Sequence, residues 1–404
     1  MVRPERRSRA DLAAVAVIIV VVLAASLVLW LRSDVRATES DTAPPVKPEP
    51  VPAAVPPELH EAWSAPSPAT PRPMVAGPAV VTGDGGQVAG RDPATGQVRW
   101  TYARDLPLCT VGSAWGRALA VYRKSHNCSE VTSLVGATGQ RGPSRNSDAD
   151  FGLDLLGDGR YVTATGRNVL ETWRPDLVRT TQYGVPTAIK NPHNNLKRPE
   201  CKYSSVATGE GRVAVIEKCP GIPVDRLTLL KARPKSDEKP QELMSLQVGS
   251  GRASVVATDE HHTAVLLRDR GELVVFDNIT HESTGHFPVP ASGPPPRGQP
   301  DGTANEPTIR GPRIYWYTGS ALVALDRATL NPLWTIQGAL GPGTGFGGKL
   351  VVPVPGGLAV HDPHTGARER VIPLDRHGYT GPINLNATGA TVLEQRGPTL
   401  TGLR

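Results

Sequence analysis

Cysteine is scarce in this sequence, and its placement excludes several kinds of site. Only four cysteines occur in 404 residues, and none of them has the Cys-x-x-Cys spacing of a zinc or redox motif. No cysteine stands at the end of the N-terminal apolar run, which excludes a lipoprotein anchor. We therefore expect no metal site built on cysteine.

Positive charge is also too limited to indicate nucleic acid binding. The formal net charge is +6, but three of these units come from residues 1–10. In that stretch four arginines accompany one glutamate: Arg3, Arg6, Arg7, Arg9 and Glu5. The rest of the chain is only weakly basic, so we expect no nucleic acid partner.

The N-terminal arginines precede an uncharged run from Leu12 to Leu31, which is long enough to cross a bilayer as a helix. By the positive-inside rule, the N-terminus is then cytoplasmic. We predict a single-pass cell-membrane protein with a cytoplasmic tail (1–10), a transmembrane helix (11–32), a Pro-rich linker (33–57) and an extracytoplasmic domain (58–404). The alternative is a signal peptide cleaved near Val35-Arg36-Ala37, although the run exceeds the usual apolar region of about 7–15 residues.

The linker is rich in proline and has no apolar periodicity. Such a composition favours an extended, semi-stiff polyproline conformation. We expect the linker to be a spacer that holds the domain away from the membrane.

The domain has no convincing helical period and is organised by a repeated turn. Asp92-Pro-Ala-Thr-Gly-Gln-Val-Arg-Trp100 recurs at the same offsets from Asp326 to Trp334, and without the Trp from Asp362 to Gly366. Asp and Thr side chains can bond nearby backbone N–H groups, while Gly supplies the positive φ that a tight connection needs. Self-similarity of this kind indicates a repeat architecture.

A second signal gives the number of repeats: a small turn residue followed by an apolar run rich in β-branched residues. It recurs about every 45 residues, the length of a four-stranded propeller blade. The eight copies begin at Gly77, Gly116, Gly159, Gly211, His262, Pro312, Gly348 and Gly389. We predict an all-β, eight-bladed β-propeller, with seven blades as the alternative.

A segment left over before the first blade explains how the ring closes. Leu59-His-Glu-Ala-Trp63 places Trp63 where Trp100 and Trp334 stand in their repeats. The last copy, from Gly389, lacks an outer strand of its own. We predict that the Trp63 segment supplies it, because pairing the two ends removes exposed sheet edges.

The four cysteines fall into two close pairs, Cys109 with Cys128 and Cys201 with Cys219. Three connectivities exist for four cysteines, and the local one joins neighbouring strands within one blade. An extracytoplasmic domain favours structural disulfides over metal binding or redox chemistry.

Several stretches imitate functional motifs but occupy repeat positions. Gly343 to Leu350 has the spacing of a phosphate loop, yet the Ser or Thr after Lys349 is missing and no helical pattern follows. Asp259-Glu-His-His262 resembles a metal cluster but falls on a strand-connecting turn. We interpret both as turns, and the repeated Trp residues as blade packing, so we predict no catalytic, cofactor or metal site.

Two insertions carry more information. The first, between blades three and four, is polar and basic and ends at Cys201. Loops longer than about 12–15 residues are usually functional or disordered, and a tied-down insertion favours binding. Its candidate partner-binding residues are Lys190, His193, Lys197, Arg198 and Lys202. For the second, Pro288 to Pro307, we expect disorder.

The Asp-x-x-Thr-Gly-x-x-x-Trp pattern resembles the repeat of pyrroloquinoline-quinone-type β-propellers. The whole layout is similar to single-span, PQQ-binding-like propeller proteins of actinobacteria, over about residues 58–404. The resemblance implies the eight-bladed fold of quinoprotein dehydrogenases and of an outer-membrane assembly factor. It does not by itself imply a cofactor, and the adjacent cysteines of the dehydrogenases are absent here.

These observations favour a non-enzymatic, membrane-anchored scaffold or binding module for a cell-envelope or membrane protein, with no cofactor. Two alternatives are a PQQ-dependent dehydrogenase and a sensor for a cell-wall ligand. A sensor would need a partner to relay its signal, because about ten cytoplasmic residues are too few for a signalling domain. The identity of the partner and the oligomeric state are left open by the sequence.

Overall fold

The computed structural model describes residues 8–33, 36–186, 196–237, 239–290 and 307–404. Helix α1 (Arg9–Leu31) is apolar and exposed along its length. It begins with a capping box, in which the Ser8 hydroxyl accepts from the Asp11 N–H and the Asp11 carboxylate accepts from the Ser8 N–H. Length and composition make α1 a candidate membrane span or signal sequence.

The rest of the described chain is an eight-bladed β-propeller, as predicted. The first four blades contain, in chain order, β3 (Met74–Ala76), β4 (Ala79–Asp84), β5 (Gln87–Arg91) and β6 (Val98–Ala103); β7 (Leu108–Ala114), β8 (Arg117–Lys124), β9 (Asn127–Val135) and β10 (Arg141–Asn146); β11 (Leu155–Gly157), β12 (Val162–Ala164), β13 (Val169–Trp173) and β14 (Arg179–Gly184); β15 (Lys202–Gly209), β16 (Arg212–Lys218), β17 (Arg226–Lys231) and β18 (Glu242–Gln247).

The next three blades contain β19 (Ala253–Thr258), β20 (His262–Leu267), β21 (Glu272–Asp277) and β22 (Ser283–Pro288); β23 (Thr308–Arg310), β24 (Arg313–Tyr317), β25 (Ala321–Asp326) and β26 (Pro332–Gln337); β27 (Thr344–Phe346), β28 (Lys349–Val354), β29 (Gly357–His361) and β30 (Arg368–Pro373). The eighth contains β31 (Ile383–Thr388), β32 (Thr391–Arg396), β33 (Thr399–Leu403) and, as its outer strand, β2 (Glu61–Pro66).

The ring therefore closes as the sequence predicts. Strand β2 pairs antiparallel with β33, and Trp63 lies opposite Gly402. The first strand of each blade is the innermost one, since β3 contacts β7 on one side and β31 on the other. Middle strands are buried on both faces between neighbouring blades, whereas outer strands such as β6 alternate between buried and exposed residues.

Antiparallel pairing gives the propeller two distinct faces. One face carries the turns between second and third strands and the connections from one blade to the next. Both insertions are connections of this kind, so we call it the insertion face. The other face carries the turns between first and second strands and between third and fourth strands. The Asp-x-x-Thr-Gly turns lie there, and we call it the motif face.

The linker differs from the free spacer that we expected, because it lies on the propeller. Its residues Glu39–Asp41 form β1, which pairs antiparallel with β6 and makes blade 1 five-stranded. In this pairing Glu39 lies opposite Ala103 at the insertion face, and Asp41 lies opposite Thr101. The chain then reaches the motif face, where the Ala43 N–H donates to the Thr138 carbonyl.

Further contacts hold the linker across the motif face. Glu49 forms an ion pair with Arg404 at 2.7 Å, and the carbonyl of Val55 accepts from Arg370 at 2.7 Å. Val55 and Leu59 are buried in the core between blades 7 and 8. Prolines remove backbone donors but keep an extended chain whose carbonyls remain free to accept. We call residues 39–58 the strap.

Candidate functional site

Both disulfides lie at the insertion face, and both join the predicted partners. Cys109 at the start of β7 is bonded to Cys128 in β9, with Cα atoms 6.1 Å apart. Cys201, directly before β15, is bonded to Cys219, directly after β16, with Cα atoms 4.2 Å apart. No free cysteine remains. Cys201–Cys219 joins neighbouring strands of blade 4 at the end of the first insertion, as expected, whereas Cys109–Cys128 joins the first and third strands of blade 2, which β8 separates.

The candidate partner-binding loop is described only from residue 196 onward. Lys190 and His193 lie outside the described residues, so their roles remain predictions. The described end of the loop runs into the Cys201–Cys219 disulfide. Lys197, Arg198 and Lys202 therefore stand on a base that is covalently fixed to blade 4.

Arg198 is the anchor of this loop and not an exposed contact. Its Nε donates to Glu217 Oε2 at 2.6 Å, and its Nη2 donates to Glu242 Oε1 at 3.1 Å and to the Tyr183 hydroxyl at 3.0 Å. The Glu217 side chain is 1% exposed. Because Tyr183 belongs to β14 and the two glutamates to blade 4, the guanidinium group ties the loop to two blades at once.

The surroundings of Arg198 keep it charged and keep the nearby phenols neutral. Burial opposes the charged guanidinium, but the hydrogen bond and the negative charge of Glu217 outweigh it and raise the Arg198 pKa. Burial, followed by the charge of Glu217, raises the pKa of Tyr183. Tyr203 stacks on Tyr183 with ring centroids 5.4 Å apart, and burial raises its pKa well above the ordinary value. The cluster therefore consists of a structural ion pair between Arg198 and Glu217, packed against the neutral side chains of Tyr183 and Tyr203.

Lys197 and Lys202 are the basic groups of the described loop that reach solvent. The Lys197 side chain is 69% exposed, and its Nζ lies 3.2 Å from Glu242 Oε2. Lys202 is exposed, and its Nζ donates to Asn168 Oδ1 at 2.6 Å, in the turn between β12 and β13. Exposed pairs of this kind contribute little to stability. Both ammonium groups therefore remain available to a partner.

The stretches that imitate active-site motifs are turns, as interpreted. Residues from Thr344 to Val354 form the hairpin of β27 and β28, with no helix. Asp259 Oδ1 accepts from the backbone N–H groups of His261 and His262 at 2.6 and 2.7 Å, which closes the turn between β19 and β20.

Metal-ligating side chains converge at one place in the described part of the chain, on Cys201, Glu217 and Cys219. The two sulfurs are bonded to each other, and Glu217 is engaged by Arg198. This donor set does not fit a metal ion, because a disulfide offers no thiolate ligands.

The structure adds two basic patches on the insertion face that the sequence analysis missed. Arg252, Arg268 and Arg270 come together at blade 5, from the connection before β19 and the turn before β21. At blade 2 the Arg123 guanidinium lies 4.6 Å from the centre of the Phe151 ring, and Phe151 is 46% exposed. The sequence contains one indication of the first patch, namely two arginines in the short turn Arg268-Asp269-Arg270.

The motif face is partly covered by the strap. A cavity of about 310 Å³ opens between blades 6 and 7, where Val51 of the strap joins its lining. Tyr315, Phe346, Lys349 and His364 also line it. The strap therefore shapes this face, while the insertion face carries the fixed loop and the basic patches.

Comparisons with known proteins bear on the fold. No protein-family model and no curated protein matches this sequence. Solved structures with a similar fold include BamB from Moraxella catarrhalis, with a TM-score of 0.50 and 13% identity over 86% of this chain and 99% of that chain. The computationally designed protein Ika8 has a TM-score of 0.54 and 15% identity, covering 85% and 98%. Saccharomyces cerevisiae Sqt1 has a TM-score of 0.51 and 10% identity, over 87% of this chain and 98% of that chain. At such identities the similarity shows the β-propeller fold alone.

Proposed function

We propose that this chain is a membrane-anchored, extracytoplasmic binding module without enzymatic activity, and that its insertion face holds a cell-envelope or membrane protein. The apolar helix α1 supplies the anchor. Two disulfides, with no free cysteine, support folding in an oxidising compartment. Turns on a rigid scaffold are where binding residues concentrate.

The observation that carries this proposal is the fixed base of the first insertion. The disulfide at Cys201 and the buried contact of Arg198 with Glu217 hold its C-terminal end on blade 4. A loop held in this way loses less conformational entropy on binding than a free loop does. Lys197 and Lys202 place positive charge beside it, which suits a partner with an acidic surface.

Site-specific photo-crosslinking in membranes of the native host tests the proposal. A photoreactive residue replacing Lys202, at the start of β15 on the insertion face, should give an adduct of one defined mass. The same residue replacing Ile279, which is 71% exposed on the motif face, should not. Lys197→Glu should weaken the adduct at position 202. Equal adducts from both positions, or none from position 202, would contradict binding by the insertion face.

The membrane topology is tested separately. A reporter that is active only outside the cytoplasm should work when it is fused after Arg404. Carbonate washing should leave the full-length chain in the membrane fraction. Activity of a cytoplasm-only reporter at that site would reverse the proposed topology, and release by carbonate of a shortened chain would support the signal-peptide alternative.

A further inference from the structure

The start of the strap determines where the chain leaves the membrane. Strand β1 begins at Glu39, opposite Ala103, at the insertion-face end of blade 1. Helix α1 ends at Leu31, eight residues before Glu39, and a chain of that length spans at most about 28 Å. The end of the helix is therefore tethered close to the insertion face.

Contacts around the end of the helix agree with this tether. A cavity of about 400 Å³ is lined by Leu31 and Arg36 on one side and by Arg104 and Leu106 on the other. The latter two residues belong to the connection between blades 1 and 2, on the insertion face. Trp30, 58% exposed, lies in the last turn of α1, and tryptophan is enriched at membrane–water interfaces.

The three arginines at blade 5 stand beside one carboxylate, Asp269, and give the insertion face a net positive charge. Arg268 Nε donates to Ser254 Oγ, and Arg270 Nη2 donates to the Gly249 carbonyl. The neighbouring carboxylate, Asp269, accepts instead from Ser250 Oγ at 2.6 Å. Among the residues that the structure describes, these guanidinium groups have no acidic partner. Burial and the charge of Arg252 lower the pKa of Arg268, so the like charges are close enough to repel.

The patch at blade 2 combines charge with an exposed ring. Arg123 covers one side of Phe151, whose ring remains 46% exposed. His126 is exposed in the adjoining turn between β8 and β9. Such a patch suits the boundary between lipid headgroups and acyl chains, because the cations can contact the headgroups while the apolar ring contacts the acyl chains.

We propose that the propeller rests with its insertion face on the membrane that carries the helix, where Arg123, Arg252 and Arg270 bind anionic phospholipid headgroups. The proposal rests on the membrane anchoring proposed above and adds the orientation of the domain, in which a partner held by the insertion face is a protein of the same membrane. With the motif face down, the segment after Leu31 would first have to travel the height of a blade, about 20 Å for a six-residue strand. Basic residues near an anionic lipid surface are attracted to it, and salt screens that attraction.

Energy transfer to a labelled lipid tests the orientation in the full-length chain. Because all four native cysteines are disulfide-bonded, His126→Cys and Ile279→Cys each add one reactive thiol, on the insertion face and the motif face respectively. The labelled protein is reconstituted in phosphatidylcholine liposomes, with or without phosphatidylglycerol, that carry a headgroup acceptor. Transfer should be greater from position 126, and the difference should grow with phosphatidylglycerol and shrink in high salt.

Charge reversal separates lipid contact from a geometric effect of the tether. Arg252→Glu with Arg270→Glu should abolish the increase that phosphatidylglycerol produces at position 126. Arg233→Glu with Lys235→Glu makes the same charge change at exposed positions on the motif face and should leave the increase unchanged. Equal effects of the two pairs would overturn the proposed headgroup contact.

The anchoring and the orientation fail in different ways. If the chain does not float with liposomes of either composition, the proposed anchoring is wrong, and the proposed orientation is then wrong too. If the chain floats but the two positions transfer equally, or position 279 transfers more, the orientation is wrong and the anchored binding module still stands.

Discussion

The indole of Trp63 lies on Gly96 of the neighbouring blade. Its Nε1–H donates to the carbonyl oxygen of Pro93 at 2.9 Å, and a Cβ on Gly96 would come within 2.6 Å of the ring. Gly96 also has a φ of +70°. Glycine is needed there because the turn is left-handed and because the indole occupies the space of a side chain.

The same contact recurs around the ring. Trp100 Nε1 donates to the Gly136 carbonyl and the ring covers Gly139; Trp334 Nε1 donates to the His364 carbonyl and the ring covers Gly366. The repeated Trp and the repeated Thr-Gly turn are thus two halves of one contact between successive blades. Blade 2 has the turn Thr138-Gly139 without an Asp three residues before the Thr, and its Gly139 still receives the Trp100 ring.

Trp63→Ala should destabilise the whole propeller, because Trp63 is 8% exposed and sits in the strand that closes the ring. Truncating a buried indole typically costs about 3–5 kcal/mol, a large share of the roughly 5–15 kcal/mol available to a domain. Denaturant unfolding measures the change. Trp334→Ala, at a more exposed indole, is the control and should cost less. An unchanged unfolding midpoint for Trp63→Ala would show that β2 does not hold the ring closed.

Gly96→Ala should cost more than Gly348→Ala, although both positions have a positive φ, +70° and +72°. Each substitution carries the left-handed penalty of about 1–2 kcal/mol, but a Cβ at Gly348 meets nothing within 4 Å. The excess at Gly96 should shrink in the Trp63→Ala background, which a double-mutant cycle in denaturant measures. Equal costs in both backgrounds would argue against the Trp63 contact.

Arg198→Ala should lower the free energy of unfolding by about 3–5 kcal/mol, because it leaves the buried Glu217 carboxylate without its charge partner. Lys197→Ala is the matched control in the same loop, and loss of its exposed pair with Glu242 should cost about 0–1 kcal/mol. Thermal and denaturant unfolding provide both values. Similar small losses for both variants would mean that Arg198 does not anchor the insertion.

Replacing Cys201 and Cys219 together by Ser should cost about 3 kcal/mol, as expected for a bond that closes a loop of 18 residues. Hydrogen exchange should rise around residue 202, where the insertion joins β15. The pair Cys109 and Cys128, with a separation of 19 residues, is the control: its replacement should be similarly costly but leave exchange at residue 202 unchanged. Non-reducing peptide mapping should recover both native pairs, and free thiols would count against them.

Pyrroloquinoline quinone with calcium should not raise the melting temperature of the purified protein beyond the effect of calcium alone. The chain has no adjacent cysteines to lie over the quinone, and its motif-like stretches in the described residues are turns. Dye-linked alcohol oxidation provides the second measurement. A clear quinone-dependent shift or turnover would favour the dehydrogenase alternative.

The blades and their closure could be predicted because they depend on local, repeated patterns. Turn residues recur at the start of each second strand, and the displaced Trp63 marks the missing outer strand. The docked strap could not be predicted in this way. Its contacts with the last two blades are made by a single side chain, as between Glu49 and Arg404, or by a backbone carbonyl, as between Val55 and Arg370. In both examples the partner is more than 300 positions away in the sequence, so no local pattern marks it.

The candidate loop shows a similar limit. Lys197 and Arg198 are adjacent basic residues in the sequence, and nothing local distinguishes them. In the structure Lys197 is exposed and, among the described residues, touches only Glu242, whereas Arg198 is nearly buried because Glu217 and Glu242, 19 and 44 residues further on, both bind it. A charge that is buried by distant partners cannot be recognised from its immediate neighbours.

The closing strand has a consequence for the order in which the protein matures. Strand β2 is synthesised before any complete blade, yet its only ladder partner within the described chain is β33, more than 330 residues later. Strand β2 therefore lacks its ladder partner, and its hydrogen-bonding edge stays unpaired, until the last blade has been synthesised. Closing the ring then requires the two ends of the domain to meet. A chaperone that shields this one short strand would protect the molecule from aggregation during this interval.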